Sequence, residues 1–142
     1  MSTCTFFGHR SVHEKIEPTL RSTLMDLIEN HGVTRFYIGN HGAFDAMVRR
    51  VLGDLSSTYA ITYYVVLAYL PKQGSQSDPS SIFPEGIETV TKRVAISYRN
   101  KWMLERSEYV VTYVTHPIGS GAAQFKELAE KRGKTVIELK QK

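Results

Sequence analysis

The residue types best suited to hold an anion fall in two glycine-bearing loops and on one helical stretch. Gly119-Ser120-Gly121-Ala122-Ala123 opens an amphipathic segment. Glycines there let the backbone approach an anion while the helix N-terminus offers unpaired N–H donors. The same run also suits a tight strand-to-helix turn that needs positive φ. Gly39-Asn40-His41-Gly42-Ala43-Phe44-Asp45 is a second such turn. Its Asp45 sits near a helix start, where a carboxylate caps or pairs with the dipole, or holds a ribose hydroxyl, or acts as a base. Arg99 shares a helical face with Ile96 and Met103, so a guanidinium points where apolar side chains pack. A buried charge needs a partner, either a bound phosphate gripped in two-point fashion or a structural carboxylate such as Asp45. Arg10 is a second phosphate candidate that, as a loop residue, is otherwise solvated. His9, His41 and His116 each follow a strand end, but their spacing matches no compact metal motif, so hydrogen bonding is expected and no metal or cofactor. Tyr98, Trp102 and Phe83 offer stacking surface or ordinary packing.

Short β-branched or aromatic runs alternating with amphipathic stretches must position these groups, a pattern that implies βαβ units and a parallel sheet. Strands are expected at residues 3–7, 35–38, 61–70, 109–114 and 135–139. The first helix spans about 13–31, with Ile16, Leu20, Leu24, Leu27 and Ile28 on one face and Gly32 as its C-cap. In the second, Phe44, Met47, Val48, Val51, Leu52 and Leu55 form the core stripe. A third covers about 92–106, and a fourth ends near Arg132 and Gly133. Residues 71–88 carry no periodic pattern and read as a loop and a candidate lid. The expected fold is α/β, a three-layer Rossmann-like open parallel sheet of about five strands in the order 3-2-1-4-5. Its winding reverses between strands one and four, so residues 8–10 and 115–121 form the walls of the expected site.

At 142 residues, 42% hydrophobic and 23% charged, the chain has the size and composition of one soluble globular domain, 1–142. It has no apolar run long enough for a membrane span, and Met1-Ser2-Thr3-Cys4 enters a strand pattern directly; a cytoplasmic protein is expected. Cys4 is the sole cysteine, which excludes an internal disulfide and reads as a buried apolar residue. The net charge of +4 is concentrated at the C-terminal end, in Lys131, Arg132, Lys134, Lys140 and Lys142, as solvated helix and tail charges rather than a nucleic-acid surface.

Gly8-His9-Arg10, the run 37–45, Phe83-Pro84-Glu85-Gly86-Ile87-Glu88 and Arg99-Asn100-Lys101-Trp102-Met103 together resemble the small YpsA-like bacterial proteins of the SLOG superfamily. The resemblance covers nearly the whole chain. That superfamily also includes the Lonely Guy phosphoribohydrolases and DNA-processing protein A, Rossmann-like binders of nucleotides or nucleotide-derived ligands. Arg99 with Met103 looks like the Arg and Met of the Lonely Guy enzymes. Gly119 and Gly121 fit their glycine-rich loop, whereas Ala122 replaces its Thr and Phe125 its catalytic Glu. The resemblance therefore implies a sensor or regulatory module for a nucleotide, nucleotide-sugar or ADP-ribose-like ligand. Gly8, His9, Arg10, Gly39, Asn40, Gly42, Asp45, Arg99, His116, Gly119, Ser120 and Gly121 would surround it. One alternative is an N-glycosidase, phosphoribohydrolase or ribosyltransferase acting on nucleoside monophosphates, with Asp45 or Glu88 in place of the missing Glu. Another is a protein-interaction scaffold in cell division or stress response. Association of SLOG relatives implies a homodimer.

Overall fold

The computed structural model describes residues 2–69, 81–114 and 121–140. Ten elements follow in order: β1 (Ser2–Gly8), α1 (Ile16–His31), β2 (Val33–Ile38), α2 (Gly42–Leu55), β3 (Thr62–Val66), β4 (Ser81–Ile82), α3 (Ala95–Glu105), β5 (Tyr109–Tyr113), α4 (Gly121–Lys131) and β6 (Thr135–Glu138). The strands form one all-parallel sheet in the order β4-β3-β2-β1-β5-β6. This is the expected open Rossmann-like arrangement with one strand more. The extra strand, β4, lies within the segment read as a loop; its two residues carry too little pattern to register as a strand, and pairing with β3 alone defines them. That pairing starts a parallel edge beyond β3, which itself stops at Val66 instead of running to residue 70.

Strand alternation divides the core. Cys4 and Phe6 of β1, with Phe36 and Ile38 of β2, face α1 and α2, while Phe7 and Tyr37 face Met103 and Leu104 of α3 and Ala129 of α4. The two stripes predicted for α1 and α2 are the buried ones, except that Ile28 is only partly covered. α1 begins later than its periodicity implied, because residues 13–15 form a turn whose first carbonyl, of His13, accepts from Ile16. Likewise 3₁₀ turns at Ile87–Thr89 and Lys92–Val94 precede α3 and delay its start to Ala95. Gly32 is left-handed at φ 67°, its N–H returning to the Leu27 carbonyl, as the C-cap expectation required. Cys4 is fully buried, and burial pushes its thiol far above the usual range, so it is no nucleophile. Among the described residues no helix is long and apolar enough to cross a membrane.

Candidate functional site

At the carboxyl ends of β1 and β2 three glycines allow unusually close packing. A Cβ on Gly8 would run into the Phe44 ring, so the first turn of α2 settles directly against the end of β1. Gly42 has φ 92°, and a Cβ there would lie 2.6 Å from Arg10 Cα. The next residue, Ala43, donates its N–H to the Arg10 carbonyl at 2.6 Å, which ties the loop after β1 to the start of α2. Gly39 matters most for electrostatics. A Cβ on it would lie 2.7 Å from Asp45 Oδ2 and 3.1 Å from Arg99 Cζ, so a carboxylate and a guanidinium both crowd the space that the missing side chain leaves.

Arg99 is only 2% exposed. Its Nε donates to Asn100 Oδ1 at 2.9 Å, and its Nη1 to Asn40 Oδ1 at 3.2 Å and to the Val66 carbonyl at 3.1 Å; Nη2 lies 3.4 Å from His41 Nδ1. All of these partners are neutral, provided that the imidazole is. Burial lowers the Arg99 pKa, opposed chiefly by the negative charge of Asp45, yet an arginine remains a cation at any ordinary pH. Asp45 is held at one oxygen by the His41 N–H, 3.0 Å from Oδ2. Burial raises its pKa, while that amide and Arg99 pull it back. His41 is shifted downward, first by burial and then by the positive charges of Arg99 and Arg10, so it is neutral at pH 7.

These groups border a cavity of about 320 Å³. Gly8, His9 and Arg10 approach it from the end of β1, Gly39, His41 and Asp45 from the turn after β2, and Ile96, Arg99, Asn100 and Met103 from α3. Gly121 and Ala122 close it from the start of α4. The open space where a Gly121 side chain would project contains no other atom within 4 Å. Of the wall expected at residues 115–121 only Gly121 lies within the described residues, and it borders the same cavity as Gly8, His9 and Arg10. His9 packs edge-on against Tyr113, and its N–H donates to the Tyr113 carbonyl at 3.3 Å.

Other predicted positions fall elsewhere. Asn40 and Gly42 border an adjoining cavity instead, Asn40 acting on the first only through its bond to Arg99. Glu88 is exposed on a 3₁₀ turn and borders neither. His116, Gly119 and Ser120 lie outside the described residues, as do 71–80 of the expected lid. Tyr98 and Trp102 also lie away from the cavity: Tyr98 donates to the Glu85 carbonyl, and Trp102 packs on Tyr37 beneath Arg106.

Two residues join the site that sequence reasoning did not assign to it, His41 and Asn100. His41 had been visible only as one of three imidazoles after strand ends. Asn100 follows Arg99 directly and was legible only as its neighbour in a motif; the return of the guanidinium Nε onto it is a tertiary matter. Among the described residues no group of three His, Cys, Asp or Glu side chains converges in a way that would hold a metal ion. No family model matches the chain, and no curated protein matches its sequence.

Proposed function

We propose that the cavity binds the phosphate of a nucleotide or nucleotide-derived ligand and that the protein acts as a sensor or regulatory module for it. One observation carries this reading: Arg99 is a buried cation bordering a cavity, and its direct partners among the described residues are neutral oxygens and an imidazole nitrogen. Structural arginines are normally buried with a carboxylate in contact, because an unneutralised charge in a low-dielectric site is costly. Asp45 lies beside Arg99 at the vacant side-chain position of Gly39 and opposes its charge at a distance, without an ion pair between them. A phosphate in the cavity would pair directly with the Arg99 guanidinium, and Gly121 and Ala122 at the start of α4 border the same space. The resemblance to the SLOG superfamily supports the same ligand class, since Gly8, Arg10, Gly39 and Arg99 of the resembling motifs border the cavity.

The test is a melting-temperature titration with nucleoside mono- and diphosphates, ribose 5-phosphate and ADP-ribose. At least one should stabilise the protein, and Arg99→Lys, which keeps the charge but loses the planar fork, should weaken that ligand. A flat response to the entire set would end the proposal. A second reading, hydrolysis of an N-glycosidic bond, is favoured only by Asp45, a half-buried carboxylate on the cavity wall with one oxygen not engaged by the His41 amide. It requires free base to accumulate on chromatography and to vanish with Asp45→Asn. Glu88, exposed and away from the cavity, does not serve that role.

A further inference from the structure

A second cavity of about 420 Å³ adjoins the first. Gly39 and Asp45 border both. Away from that shared wall it is bounded by Ala46, Arg49, Arg50 and Gly53 on α2 and by Tyr63 and Val65 on β3. The two differ in chemistry: the surface of the first is about evenly polar and apolar, whereas that of the second is mainly apolar. Packing does not demand the bareness of the second. A Cβ on Gly53 would meet only Tyr63 Oη, at an ordinary 3.7 Å. Arg50 is held in place by Glu17 of α1, its Nε and Nη2 donating to one carboxylate oxygen at 2.9 and 2.5 Å. That pairing limits its Coulombic pull on an anion but leaves a planar guanidinium as a surface for a flat ring.

Size points the same way. Ligand pockets ordinarily occupy roughly 300–1,000 Å³, so the first cavity stands at the small end, adequate for a sugar phosphate, and the pair together reach the middle of that range.

We propose that the two cavities form one bipartite site, in which the first takes phosphate and pentose, the second takes the nucleobase, and Asp45 at their junction accepts the sugar hydroxyls. This rests on the phosphate-binding reading of the first cavity and narrows its ligand to a nucleotide with the base attached. An aromatic base matches the second cavity in being flat and largely apolar, and it stacks well on arginine and tyrosine planes.

Calorimetric titration with ribose 5-phosphate and adenosine 5′-monophosphate tests it. Adenosine 5′-monophosphate should bind about tenfold to a hundredfold more tightly, the usual worth of one stacked base. Ala46→Phe, at an exposed position on α2, should fill the second cavity and bring the nucleotide down to the affinity of ribose 5-phosphate. Binding of ribose 5-phosphate by that variant reports that the fold and the first cavity are intact. Equal affinity of the two ligands for the unaltered protein, or a nucleotide advantage that persists in Ala46→Phe, overturns the bipartite site while leaving the phosphate site standing. If neither ligand binds the unaltered protein, the phosphate reading fails and this one with it.

Discussion

Arg99 gathers its partners from three places: the turn after β2, the last carbonyl of β3 and its own helix neighbour. A side chain so constrained has its orientation fixed and turns its remaining Nη2 donor in one direction, and replacing it with lysine removes the planar group that these bonds hold. Loss of one charge-assisted bond of about 1.5–3 kcal/mol corresponds to roughly tenfold to a hundredfold weaker ligand binding, measurable by calorimetry. In the proposed site Asp45 faces the sugar. If it accepts a hydroxyl, ribonucleotides should bind better than their 2′-deoxy counterparts, and Asp45→Asn should narrow that preference; an unchanged ratio would remove Asp45 from the ligand contact. The pH dependence has a definite sign. The His41 pKa is lowered below its ordinary 6.5, so the folded protein binds fewer protons at this site than the unfolded chain just below that value. The stabilising share is complete above pH 6.5 and declines as pH falls towards the folded-state pKa. Denaturant melts at pH 7.5 and 5.5 should therefore differ less in His41→Gln than in the unaltered protein. Asp45 has the opposite sign: its raised pKa favours folding when the carboxyl is protonated, and that share is lost as pH rises through the folded-state value.

Among the elements, α2 does most to shape the site. Its first turn carries Gly42, Phe44 and Asp45, and its apolar stripe from Phe44 to Leu55 anchors it to the sheet. The absent side chain of Gly8 lets Phe44 lie against β1. Gly8→Ala should force this helix outward, costing about 1–3 kcal/mol as overpacking does, and should weaken the ligand as well, because Asp45 moves with the helix. Gly32→Ala makes a useful contrast. Nothing lies within 4 Å of its added Cβ, so only the left-handed backbone at φ 67° opposes it, at about 1–2 kcal/mol. Both variants should lower the denaturant midpoint, and only Gly8→Ala should alter binding. Ion pairs between α1 and α2, Arg21 with Asp54 and Arg50 with Glu17, are largely exposed and add little beyond orientation.

At the scale of the whole molecule, the parallel sheet turns the carboxyl ends of all its strands to one side. The helices leave in opposite directions from β1 and β5, which opens the crevice there. Because the site joins α2, α3 and the start of α4 to the two central strands, a ligand that fills it should stabilise the domain as a unit. At a hundredfold excess over Kd, linkage adds about 2.7 kcal/mol, roughly 8 °C in melting temperature for a chain of this length. The shift should shrink as salt rises, because attraction between a phosphate and a partly accessible cationic site is screened. A salt-independent shift would argue for an apolar ligand.

Much of this architecture was legible before any coordinates, because the periods that mark helices and strands are local properties of the chain. The stripes of α1 and α2, the cap at Gly32, the parallel order about β1 and the glycine turns after β1 and β2 all follow from residues close in sequence. That Arg99 is buried was also legible, since Ile96 and Met103 mark its face. Only the tertiary structure decided what surrounds it. Whether a guanidinium pairs with a carboxylate, or with carbonyl and amide oxygens while the carboxylate lies nearby unpaired, depends on how three separate elements aim their side chains at one point, and no local period encodes that. The same holds for β4, which exists because β3 offers an edge to pair with, and for Glu88, whose turn carries it away from the cavity.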